Sequence, residues 1–293
     1  MKPLYGGQAL IEGVLIRGRA GVFATVRSPE GRLISRQERI PSVRWKLLAR
    51  LPIIRGVIAL ATTLGIGSRM LLFSADVAAG GTGETMTPLG RRATLGAAAI
   101  AAFGFAALPN LIAGRLRRRP RDGKPRTGLL QSLIEGVVRL GILVGYIAAI
   151  SRLKEVQRLF AYHGAEHKSI SALEADAELT PPSVQRFDTA HPRCGTAFLL
   201  QSMLTSTAVY SFVGSRSPLG RIGTRVLLMP VVAGISYEVL QFNARHLQSP
   251  LVRALNWPGM LLQRMTTRQP TDDQVEVAIS ALRGAMGMDN PAE

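Results

Sequence analysis

The chain is poor in several residue types, and each shortage excludes something. It has one cysteine, Cys194, in 293 residues, so no intrachain disulfide can form. Two tryptophans and five tyrosines leave no aromatic-basic interleaving of the kind that stacks bases. Nucleic acid is therefore set aside as a partner. Acidic residues number 19 against 36 Lys and Arg, a net charge of +17. No G-x-S-x-G, P-loop, dinucleotide-binding or haem-attachment pattern is present, which removes the serine-hydrolase elbow and the phosphate cradle. The first residues, MKPLYGGQALIEG, lack an apolar core of signal-peptide length, so no cleaved signal is expected.

Apolar residues are abundant. They make up 47% of the chain, mean hydropathy is +0.18 and the pI is about 11.3. A chain both apolar and basic points to a bilayer, with cationic flanks on anionic headgroups. Four stretches read as spans. Residues 93–114 give 22 positions without a charge. Residues 129–150 are similar in length and carry Glu135 and Arg139, four apart, placed to pair inside a bundle. Residues 197–213 and 226–242 are shorter. The basic run RLRRRPRDGKPR (115–126) makes the tip of a hairpin over 93–150, and 197–243 make a second hairpin.

The rest reads as extramembrane. Residues 1–50 are mostly β: VFATVR, SPEG and RLISRQE give strand, turn and strand, with Gly31 in the turn. Gly6 and Gly7 suit tight backbone packing. Glu12 reads as a solvated strand charge or a carboxylate reaching a site. Residues 52–73 have an uncharged core only from Gly56 to Ser68, too short to span, and read as an amphipathic helix on the membrane or on the core. In the tail, 244–293, Thr271 is a candidate N-cap with Gln274 three later, followed by the apolar stripe Val275, Ala278, Ile279 and Leu282. The expected fold is mainly α. It is a polytopic membrane protein of about four spans, with a small α+β extramembrane region.

Chemistry concentrates in 151–195. Three of the four histidines, His163, His167 and His191, lie there with Cys194. His163 and His167 are four apart on a segment whose apolar positions, Val156, Leu159, Phe160, Ile170 and Leu173, follow a helical stripe. Two imidazoles then share the inward face and can hold one divalent metal, zinc being the usual choice for such donors. Glu166 flanks that face, giving the H-x-x-E-H order. The HPRCG turn adds His191 and Cys194 at a ligand spacing. Glu238, a carboxylate on an otherwise apolar segment, is a further candidate ligand; its alternative is a helix-end charge meeting Arg245.

FAYHGAEHKSI (160–170) and HPRCGTAFLL (191–200) closely resemble the DUF1385, or YqhQ-like, family of bacterial membrane proteins. The likeness extends to GGQALIEGVLIRG (6–18), LMPVVAGISYEVL (228–240) and the segment from Pro258 to Leu282. It implies an integral protein of the bacterial plasma membrane and a metal-dependent enzyme. Two functions are weighed beside the residues. In one, three side chains hold zinc, the fourth position takes water, and Glu166 is the base of a hydrolase with an unidentified substrate. In the other, His163, His167, His191 and Cys194 close the site and the metal is a structural clip in a scaffold or adaptor that binds another protein. The short basic tips pull to the cytoplasm by the positive-inside rule, but eleven Lys and Arg in residues 1–55 and the missing signal favour a cytoplasmic site.

Overall fold

A computed structural model describes residues 5–40, 51–82, 129–212 and 218–289. The expected span 93–114 and the basic tip 115–126 lie outside the described residues.

The elements are β1 (Gly6–Leu10), β2 (Gly13–Arg17), β3 (Gly21–Arg27), β4 (Leu33–Arg39), α1 (Ile54–Ala78), α2 (Leu129–Ile150), α3 (Lys154–Glu174), α4 (Pro181–Val184), α5 (Gly195–Ser211), α6 (Pro218–Arg245), α7 (Pro250–Thr266) and α8 (Asp272–Asp289). The strands form one antiparallel meander in sequence order. The expected 22–38 hairpin is present, with Gly31 at φ 83 in its turn. The region before it, which alternates poorly, is a hairpin as well: Leu10 pairs with Gly13 across Ile11 and Glu12. Its poor alternation has a physical cause, since β2 is covered on both faces.

One face of the sheet presents Leu10, Leu15, Val22, Ala24 and Val26 to Ile66, Met70, Phe73 and Val77 of α1. The other presents Val14 and Ile16 to α3 and α8, which contribute Tyr162, Ala165, Ile170, Val275 and Leu282. The result is a three-layer head, helix, sheet and helix pair. The predicted α8 stripe is all buried. At its start Gln274 Oε1 accepts from Thr271 N–H at 3.0 Å, half of the expected capping box.

Of the remaining helices, α2 and α7 share a small apolar cluster of Leu143, Ile147 and Leu262, while α5 and α6 bury polar groups and expose large apolar ones. In α5 the buried residues are Thr205 and Ser206, while Leu204 and Phe212 stand 59% and 88% exposed. In α6 Ser236 and Asn243 are buried and Leu227 is 76% exposed. Small polar groups inside and large apolar groups outside is the arrangement that lipid favours. Among the described residues two helices, Ile54–Ala78 and Gly223–Arg245, are long and apolar enough to cross a membrane. A third crossing arises if Gly136–Ile150 and Lys154–Glu174, bent by 105°, count as one broken span. Since α3 packs on the sheet and α8, we describe it with the head. The four-span expectation is not confirmed: 226–242 lies in α6, which qualifies, 129–150 coincides with α2, which qualifies only within the bent pair, and 197–211 falls in α5, which at 17 residues does not qualify.

Residues 52–73 depart from expectation. The helix runs on to Ala78, because Arg69 does not end it but reaches Glu38 of β4. By length and composition alone α1 qualifies as a span. Its two ends do different work. The C-terminal half covers the sheet, which is the on-the-core alternative, and the N-terminal end packs on α6. There a Cβ on Gly56 would lie 2.9 Å from the Tyr237 side chain. Ile53, just before α1, holds φ 67, a strained value for a β-branched residue, directly against Gly234.

Candidate metal centre

Helix α3 starts after Leu153 with Glu155 in its first turn, where a carboxylate favours the positive end of the helix. It carries His163 and His167 one turn apart. Cys194 is the N-cap of α5, and its sulfur accepts from Thr196 N–H at 3.3 Å. Two helices from different layers thus bring three donors together. One ligand atom each from His163, His167 and Cys194 lies within 4.8 Å of the others. Ligand distances of about 2.0–2.3 Å in a tetrahedron separate donors by roughly 3.3–3.8 Å, so small side-chain shifts bring this group to that geometry.

The tautomers suit the task. His163 Nδ1–H donates to the Thr266 carbonyl at 2.9 Å, and His167 Nδ1–H donates to the Thr189 carbonyl at 2.6 Å. A carbonyl only accepts, so each Nδ1 carries the proton and each Nε2 keeps its lone pair. His163 Nε2 stands 3.2 Å from Cys194 Sγ. A ligand histidine with its other nitrogen anchored this way is the usual second layer of a metal site. Burial pulls the His167 pKa down, against the raising effect of Cys194, which favours the neutral imidazole that binds metal.

Glu166 is not the exposed residue that two ordinary core histidines would leave between them. It is 4% exposed, and its Oε2 has no hydrogen-bond partner. Burial pushes its pKa up to about 7, with His163, His191 and the Gly7 N–H opposing. The Gly7 backbone is its ceiling: a Cβ there would lie 2.9 Å from the carboxylate and 2.4 Å from the Leu15 carbonyl. The tight packing expected of this glycine pair falls at Gly7, and it serves the site.

His191 is adjacent but otherwise engaged. Its ring centroid is 5.8 Å from that of His167. Nδ1 accepts from Arg193 N–H at 3.3 Å and Nε2 meets Glu174 Oε2 at 3.3 Å. Its backbone N–H donates to Gln263 Oε1 at 3.0 Å, which fixes the HPRC turn on α7. Burial also lowers the His191 pKa, with Glu166 opposing.

Glu238, the further candidate ligand, is not among the three donors that converge. Its carboxylate is held by Arg55, with Nε at 2.7 Å from Oε1 and a second bond from Nη2. The costly charge in an apolar segment is compensated by an ion pair across α1 and α6, with Arg55 in the place given to Arg245. Glu12 likewise binds Arg158 and accepts from Tyr162 O–H at 3.2 Å. Neither a solvated charge nor part of the site, it ties the β1–β2 turn to α3.

Other contributors carry no ligand signature. Lys168 is buried and donates to the Gln185 and Phe187 carbonyls at 2.8 and 2.5 Å, which steadies the loop carrying Thr189. Gly164 lets the chain after α7 cross α3, since a Cβ there would lie 2.1 Å from the Arg268 carbonyl. An H-G-A-E-H spelling contains this glycine, but only the fold shows what crosses it.

The head, the inside-out helices and the His-Cys group together define a membrane protein with a possible metal centre. The chain belongs to the family described as "Protein of unknown function (DUF1385)", whose profile matches residues 51–288. It is also 32% identical over 308 residues to "Uncharacterized protein YqhQ" of Bacillus subtilis (strain 168), covering 99% of this chain and 95% of that protein. No solved structure matches.

Proposed function

We propose that the chain is an integral-membrane metal-dependent hydrolase, with His163, His167 and Cys194 holding zinc and Glu166 acting as general base. The observation that carries this reading is the division of labour among the four metal-type residues. Three donors converge, while both ring nitrogens of His191 are committed to Arg193 and Glu174. Three protein ligands leave a position open, and an open position separates catalytic zinc from structural zinc. Zinc there would supply an acidified water and a Lewis acid. Glu166, with one buried oxygen unpartnered beside the ligands, would take the proton from that water and pass it to the leaving group. A raised carboxyl pKa suits that exchange near neutrality. Cys194 caps a helix of the bundle and Thr266 ends another, so the substrate bond would be presented at the membrane boundary. We assign the head to the cytoplasmic side, on the eleven Lys and Arg of residues 1–55.

A structural metal is the second reading, favoured by how close His191 lies to His167. Elemental analysis separates the two. Wild type is expected to hold about one zinc per chain. His163→Ala, His167→Ala and Cys194→Ser should each lose most of it. His191→Ala and Glu238→Gln should keep it, whereas a closed four-ligand site would lose metal with His191→Ala. Glu166→Gln should retain metal and hydrolyse an activated ester roughly 10²–10⁴-fold more slowly. Metal-loaded wild type with no hydrolysis above the metal-free protein would count against the enzyme.

A further inference from the structure

Helix α7 has a face that the fold leaves bare. Leu251, Leu255 and Trp257 are 70%, 62% and 62% exposed, and Leu261 is 39% exposed. At 100° per residue these four positions fall within about 160° of one another around the helix. The opposite side is packed: Val252, Gly259 and Gln263 are buried, with Gly259 against Ala197 of α5, while in the last turn Leu262 and Met265 pack with Leu143 and Ile147 of α2, so the bare face runs from Leu251 to Leu261. Arg253 and Arg264 are exposed. From Val239 through Thr271 there are four arginines and no acidic residue.

We infer that α7 lies in the plane of the membrane, with this face inserted at the headgroup boundary of an anionic bilayer. Three observations choose lipid over a protein partner. The face continues onto the apolar surfaces of α5 and α6, where Leu204 and Phe242 are 59% and 56% exposed. Its charges are of one sign and match anionic headgroups. A tryptophan on the apolar face beside arginines is the pattern of an interfacial helix, whose apolar side sinks about 5–10 Å into the boundary. Proline 258 and a length of 17 residues also suit a helix lying flat better than one crossing the bilayer. The inference does not depend on the hydrolase reading, since it uses only the surface of α7.

Trp257 is its own probe. The full chain carrying Trp45→Phe has Trp257 as its only tryptophan; Trp45→Tyr serves if that variant does not fold. It is reconstituted into phosphatidylcholine bilayers with or without phosphatidylglycerol, containing lipids brominated either near the top or near the end of the acyl chain. Shallow bromines should quench Trp257 strongly and deep ones weakly, and aqueous acrylamide should quench little. Strong acrylamide quenching in bilayers would leave Trp257 in water and overturns the inference. Equal or stronger quenching by deep bromines overturns it too, because α7 would then cross. Shielding from both bromine and acrylamide means a protein covers the face, which also refutes it. Phosphatidylglycerol should increase shallow quenching. Arg253→Gln with Arg264→Gln should abolish that increase, each arginine near an anionic surface being worth roughly fivefold in binding. An unchanged response to phosphatidylglycerol in the double variant would overturn the electrostatic part.

Discussion

Gly164 has no side chain to offer the site, yet it decides where His163 points. The connector after α7 rests on it at Arg268, and two residues earlier, at the end of α7, the Thr266 carbonyl holds His163 Nδ1. Gly164→Ala places a methyl group 2.1 Å from the Arg268 carbonyl, so the connector must lift. Loss of such an anchoring hydrogen bond typically weakens metal binding roughly 10–100-fold. Overpacking of this kind costs about 1–3 kcal/mol. A chelator-competition titration of zinc and a thermal melt in detergent read the two effects. Unchanged zinc affinity would show that the Thr266 contact does not position His163. That His163 and His167 share one face of α3 is legible in the sequence, because a four-residue spacing on a helical stripe has one geometric meaning. Gly164, Gly7 and Lys168 are not. Their roles depend on segments 104, 159 and 19 residues away in the chain, none of which leaves a local pattern. The same holds for the partner of Glu238, since Arg55 is 183 residues distant.

At the scale of elements, α1 and α6 meet through small residues, whereas α2 and α7 share a small apolar cluster of Leu143, Ile147 and Leu262. A Cβ on Gly234 would lie 2.4 Å from Ile53 Cγ2 and 2.6 Å from its carbonyl, whereas one on Gly223 of the same helix meets nothing within 4 Å. Alanine is favoured over glycine inside a helix by about 1 kcal/mol. Gly223→Ala is therefore expected to raise the melting temperature in detergent. Gly234→Ala should lower it, because separating α1 from α6 outweighs that gain. The same sign for both variants would show that α1 and α6 do not meet there. The periodic elements were readable in advance: α8 through its stripe, the β3–β4 hairpin through its turn, and α2 through its apolar length. For α1 the helix and its place on the core are legible but its full length to Ala78 is not, because it serves two surroundings, a sheet at one end and a helix at the other. Its hydrophobic pattern is a blend that fits neither alone.

For the whole molecule, the two ends of the chain meet. Asp289 accepts from the Arg19 and Ala20 N–H groups at 3.0 and 2.7 Å, and α8 lies on β2 and β3. The N-terminal sheet and the C-terminal helix form one unit, so both are expected on the same side of the bilayer. Cysteines introduced for the exposed Glu30 and Asp273 should be labelled by an impermeant reagent from the same side, with buried Cys194 silent. Labelling from opposite sides would break the head apart. The meeting of the ends also bears on how the protein is made. The ceiling over Glu166 comes from Gly7, the anchor of His163 from Thr266, and Cys194 stands at the mouth of a bundle helix. A ribosome supplies these pieces first, last and in between. A nascent or truncated chain can therefore carry both histidines of α3 without the surroundings that make them a site. The group can close only after Thr266 has been made and the bundle helices are seated.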